Sequence, residues 1–166
     1  IAVPYDAGGG AATGLDSIAI GNGAASQGID SVAIGPGANA VGIYTTAIGP
    51  GAKADSDDST AIGRNAQAIG LSSTAVGDQA KANEYYSNAF GYSATAEAVR
   101  STAIGMNALV KGAGAKDSFA IGNSTQVTGA YSIALGQEAK VDKDFSSAVG
   151  YQAHANGSSS VAIGVW

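Results

Sequence analysis

Cysteine is absent from the 166 residues, so neither a disulfide framework nor a thiolate metal site holds this fold together. Proline and phenylalanine occur three times each, tryptophan once, and leucine is scarce. That excludes a thick globular core of large side chains. Charged residues make up 13% of the chain and the formal net charge is −5, which leaves no basic stripe to displace counterions from a nucleic acid. There is no run of about twenty apolar residues to cross a bilayer as a helix, and no charged-then-apolar leader at Ile1 to Tyr5. The sequence reads as a piece of a longer protein with no direct membrane contact of its own. Its stability must come from backbone pairing and the packing of small side chains.

What the chain has instead is a phrase said eleven times. Ser31-Val32-Ala33-Ile34-Gly35 returns as Ser17 to Gly21, Thr45 to Gly49, Ser59 to Gly63 and onward to Ser160 to Gly164. The closing glycines fall fourteen residues apart from Gly21 to Gly105, slip once to seventeen at Gly122, and resume fourteen to Gly164. Because the phrases on either side of the slip are intact, three extra residues must lie within 111–117, in a turn where no ladder is interrupted. The 25 glycines show no every-third pattern, which excludes collagen, and the fixed schedule of apolar residues excludes a disordered tract.

Each unit carries a second, weaker phrase, such as Ala38-Asn39-Ala40 or Ala52-Lys53-Ala54, in which small apolar residues alternate with mostly polar ones. That alternation describes a half-buried strand. Pairs such as Pro36-Gly37 and Pro50-Gly51 between the phrases fit the centre of a type II turn. A unit is thus strand, tight turn, strand, longer turn. Fourteen is also two heptads, but a glycine in every unit and a period of two argue against a coiled coil. The expected fold is all-β: a parallel solenoid of about eleven coils with 14-residue coils, forming a rod of about 50 Å.

The first strand is apolar on both faces. One face carries Ile20, Ile34, Ile48, Ile62, Val76, Phe90, Ile104, Ile121, Leu135, Val149 and Ile163, and the other carries the alanines Ala19 to Ala162. One face is covered by the second strand of the same coil. The other needs a cover this chain does not supply, and homo-oligomerisation about an axis parallel to the rod supplies it. The preferred arrangement turns Ala inward and gives the Ile ladder to a trimer interface; the reverse, Ile inside and Ala at the axis, satisfies the alternation too.

The Ser-Val-Ala-Ile-Gly phrase followed by x-x-Ala-x-Ala at a fourteen-residue period resembles the YadA-like head repeats of trimeric autotransporter adhesins, over roughly Leu15 to Gly164. The resemblance implies a left-handed parallel β-roll assembled as a parallel homotrimer, the exposed passenger of a bacterial outer-membrane protein. It implies attachment to host cells or extracellular-matrix proteins by multivalent contact, with autoaggregation and virulence. On this reading residues 1–14 are an irregular lead-in and 15–166 the β-roll head. The seventeen-residue unit departs from the plain repeat, and the family's stalk and anchor have no counterpart here.

No catalytic constellation is visible, so the reading is non-enzymatic, and no cofactor is implied. His154, the single histidine, cannot form a metal cluster and reads as an ordinary surface residue. Asp55, Asp57 and Asp58 cluster in one longer turn without a calcium-loop spacing and read as a solvated turn. The candidate ligand surface is aromatic: Tyr44, Tyr86, Tyr131 and Phe145 share one register of the longer turn, with Tyr85 beside Tyr86 and Arg100 one coil on. Shielding of the roll's edge explains these rings too. Alternatives to an adhesin are a structural spacer with no specific ligand, an ice-binding solenoid using Thr46, Thr60, Thr74 and Thr102, and a parallel β-helix polysaccharide lyase, whose larger coils and charged cleft are missing.

Overall fold

Identical phrases stacked at a constant period place each residue opposite its own equivalent, and the register follows from that alone. The computed structural model describes residues 11–165. Three-residue strands from Ile18–Ile20 to Val161–Ile163 form one eleven-stranded parallel sheet, and two-residue strands from Ala11–Ala12 to His154–Ala155 form a second, each in sequential order. Thr46 pairs with Thr60, Ala47 with Ala61 and Ile48 with Ile62, and the same pattern runs the length of the rod. Ala11–Ala12, which the sequence places in an irregular lead-in, already pairs with Ala25–Ser26, so the ladder begins earlier than expected. The rest of that lead-in, residues 1–10, and Trp166 lie outside the described residues.

The two sheets lie back to back on a core of alanine. Ala33, Ala47, Ala61 and their equivalents in the first sheet are buried, as are Ala38 and Ala40, Ala52 and Ala54 in the second. The Ile ladder faces out, with Ile20 at 38% and Leu135 at 44% exposure. Of the two arrangements the alternation allows, the roll adopts the one with Ala inside. The largest fully buried side chains are Val110, Val127 and Val141, which makes this a very narrow roll.

The turns correct one expectation. The sequence suggests a tight turn and a longer one, but both are four-residue turns of one kind. Ala38 N–H donates to Gly35 O at 3.1 Å and Ser59 N–H to Ser56 O at 3.3 Å. In both, the third residue is left-handed: φ is +66° at Gly37 and +55° at Asp58. Each coil is therefore two similar seven-residue halves, Ser31 to Gly37 and Ala38 to Tyr44. The likeness is hidden in the sequence because the glycine of the second half, Gly42, is replaced by Ser56, Glu84, Ala98 or Lys143 in other coils.

The phrase glycine is required twice over. Gly35 has φ +125°, and a Cβ there would lie 2.8 Å from the Gly49 carbonyl carbon. Bulky residues nonetheless hold left-handed turn positions elsewhere, including Tyr44, Tyr86, Arg100 and Phe145. Each costs on the order of 1 kcal/mol in an unsupported chain. Here the turn itself joins the ladder, as when Tyr86 N–H donates to Leu71 O at 2.9 Å and Phe145 N–H to Ala130 O at 2.9 Å.

A feature the sequence reading missed is the corner before each first strand. Ser31, Ser59, Ser87 and Ser101 are fully buried, and each hydroxyl bonds a turn carbonyl three residues back, as Ser101 Oγ to Ala98 O at 2.6 Å. A small side chain with a donor is what that corner accepts. The signal was present in the near-invariance of Ser or Thr at the head of the phrase.

Candidate functional site

Two surfaces distinguish this roll from a plain solenoid. The first is the outer face of the three-residue-strand sheet, built from two columns. One is the Ile ladder. The other runs Ile18, Val32, Thr46, Thr60, Thr74, Asn88, Thr102, Phe119, Ile133, Ser147 and Val161. Neither column holds a charged residue. The opposite sheet differs: Lys53, Lys81, Lys140 and His154 project from it into solvent.

The second surface is the turn edge that carries the aromatic candidates. Tyr44, Tyr85, Tyr86, Tyr131 and Phe145 are all exposed, Phe145 most at 63%. One register does not make one patch, however. Tyr44 stands between Asp30 and Asp58 in its column, and Tyr86 between Ser72 and Arg100. Only Tyr131 and Phe145 stack, with centroids 5.3 Å apart and planes within 7°. The next position of the column after Phe145 is the small Ser159.

Two neighbours that the sequence reading did not single out complete this group. Lys116 places its ammonium 5.4 Å from the Tyr131 ring centre, on the cation–π side of the stack. Asp117 receives the Arg100 guanidinium in a two-bond fork, 2.5 Å at Nε and 2.8 Å at the terminal nitrogen. Hydrogen bonding from Arg100 holds the Asp117 carboxyl below the usual carboxylate range, as Arg64 does for Asp78. On the opposite turn edge Tyr92 and Met106, on adjacent coils, and Tyr151 are also exposed, in a column that otherwise carries polar residues such as Arg64, Asp78, Asn123 and Gln137.

The remaining candidates have ordinary partners. His154 Nε2 lies 2.7 Å from Asp142 Oδ2, with both side chains near half exposed. Asp57 Oδ1 accepts the Ile43 N–H at 2.8 Å, and Asp144 Oδ1 the Ala130 N–H at 2.8 Å, so these carboxylates cap turns. Among the described residues there is no group of three or more potential metal ligands, and no helix long and apolar enough to cross a membrane.

The extra residues can now be located. Ala115-Lys116-Asp117-Ser118 reproduces the regular turn, with Ala115 buried and Asp117 left-handed at φ +55°. The insertion is Gly112-Ala113-Gly114, and it bulges outward. Thr102 still pairs with Phe119 and Leu109 with Gln126 across it, so neither ladder is broken.

Comparison with known proteins follows this pattern. The model described as YadA head domain repeat matches residues 12–38, 40–66, 68–87, 88–108, 113–139 and 143–165. No curated protein matches the chain. Among solved structures, the crystal structure of the collagen-binding domain of Yersinia adhesin YadA is similar at 26% identity, covering 92% of this chain and 68% of that one, with a TM-score of 0.43.

Proposed function

This chain belongs to the family of YadA head-domain repeats, an adhesin-type module, and from that premise we propose that it works as a parallel homotrimer on the bacterial cell surface. There it attaches to host cells or extracellular-matrix proteins by many weak contacts repeated around and along the rod. The observation that carries the reading is the uncharged outer face of the three-residue-strand sheet, which a single roll leaves half in water. Burying it against two further copies gains about 25 cal/mol per Å² of apolar surface. Assembly then holds three copies of each turn column at fixed spacing, and linked weak sites gain avidity without any new contact.

Sedimentation at several concentrations tests the assembly: a stable, folded monomer for the parent protein would end the trimer reading. Ile62→Asp, on the outer face and outside the alanine core, is expected to shift the protein toward monomer. Solid-phase binding to collagen, fibronectin and laminin tests the function. Saturable binding, weakened by Tyr131→Ala or Phe145→Ala, is expected. A trimer that binds no matrix protein and no host cell leaves the spacer as the better description.

A further inference from the structure

Several features of the roll change together where the period slips, between Thr102 and Phe119. The bulge is one. On the buried side of the second sheet, alanine at positions such as Ala82 and Ala96 gives way to Val110, Val127 and Val141. The buried corner before each first strand changes as well, and there the difference lies in where the hydrogen bonds go.

Before the bulge each corner hydroxyl closes its own turn. Ser31 Oγ donates to Gly28 O at 2.7 Å, Ser87 Oγ to Glu84 O at 2.6 Å and Ser101 Oγ to Ala98 O at 2.6 Å. The corner amides do the same, Ser87 N–H to Glu84 O at 3.1 Å and Ser101 N–H to Ala98 O at 3.2 Å. After the bulge the amides leave the turn and bond the previous coil's hydroxyl: Ser132 N–H donates to Ser118 Oγ at 3.0 Å and Ser146 N–H to Ser132 Oγ at 3.1 Å. The hydroxyls shift too. Ser132 Oγ lies 2.9 Å from Ala130 O in its own turn and 3.1 Å from Lys143 O one coil on, so its proton is shared between coils. Ser118 reaches Gly129 O at 2.9 Å, Ser146 reaches Gly157 O at 2.7 Å, and Thr125 Oγ1 adds a bond to Gly136 O at 2.7 Å.

A bond inside a turn can leave with its coil, whereas a buried bond between coils must break before the coil leaves. Side-chain bonds between coils exist before the bulge, as Ser56 Oγ to Ile69 O and Arg64 to Asp78, but they lie at the exposed surface where water competes for them. The valines add buried apolar surface at the joints that the serines tie. We propose that the bulge is a seam between two parts of unequal strength, so that opening of the roll begun in residues 11–110 halts there while 118–165 stays folded. The device is a built-in stop to partial unfolding. It depends neither on what the surface binds nor on how many copies assemble.

Hydrogen exchange of the intact protein in rising denaturant tests it. The amides of Lys53, Gln67, Lys81, Gln126 and Lys140 all sit on the second sheet, away from the uncharged outer face, and each donates to the next coil at 2.8 or 2.9 Å. Their own bonds therefore do not distinguish them. Gln126 and Lys140 are expected to exchange at least about tenfold more slowly than the other three. Ser132→Ala should remove most of that difference, and Ser132→Thr should keep it, since Thr45 fills the same corner fully buried and still donates to Gly42 O at 2.7 Å. Ser59→Ala should speed exchange only at its neighbours. Equal exchange on the two sides of the bulge overturns the seam, and that comparison needs no variant should Ser132→Ala fail to fold. Slow exchange that persists at Gln126 and Lys140 in Ser132→Ala overturns it too, as does an equal loss in the Ala and Thr variants.

Discussion

At the scale of the residue, this fold is exacting where it looks featureless. Gly35 combines a left-handed backbone with contact distances that exclude a Cβ. Gly35→Ala is expected to cost roughly 3 kcal/mol or more, measured by denaturant unfolding at fixed protein concentration. The buried hydroxyls make a sharper pair. Ser101 Oγ is bonded to Ala98 O, whereas Ser73 Oγ is buried with no partner. Ser101→Ala should lose about 1 kcal/mol and Ser73→Ala should be neutral or stabilising; equal losses would mean that the corner selects for size alone.

At the scale of the element, the roll is two strand columns whose separation is set by one methyl group. Alanine occupies the inward position of every three-residue strand, while the second sheet admits Val110, Val127 and Val141 on consecutive coils. Val127→Ala should therefore cost about 2 kcal/mol by leaving a cavity. Ala75→Val should cost about 1–3 kcal/mol by overpacking, because the buried alanines around it have no side-chain torsion that could move aside. The turn edge gives a pH signature. Asp117 is held low by Arg100, so whatever this pair contributes is present above the ordinary carboxylate range and fades as pH falls through the lowered value. In Arg100→Ala the Asp117 carboxyl should titrate at higher pH, read by carboxyl NMR. Both groups are solvent-exposed, and stability itself should change little.

These particulars show how far the sequence could be read. Strand placement and the tolerance of an insertion were legible because a period-two pattern at fixed spacing leaves one register, whereas the choice of Ala over Ile for the inward face was a preference that the alternation left open. The equality of the two turns was not, since Ser56, Glu84, Ala98 and Lys143 mask the glycine that marks it. The aromatic column was legible as a register, but which rings touch depends on the residues one coil above and below. Asp30 and Asp58 isolate Tyr44, whereas Tyr131 and Phe145 are adjacent. Nor could spacing tell that Glu97 would turn to a backbone N–H instead of to Lys111.

At the scale of the whole molecule, each coil is bonded only to the coils before and after it, through hydrogen bonds directed along the rod. Mechanical load applied along that direction pulls on those bonds in series, so a single chain should yield from an end, one coil at a time, and not as a block. Each 14-residue coil frees about 48 Å of extended chain, and the 17-residue coil about 58 Å. Single-molecule stretching should therefore record a train of equal steps with one longer step between them, the bulge appearing as a mark on a molecular ruler.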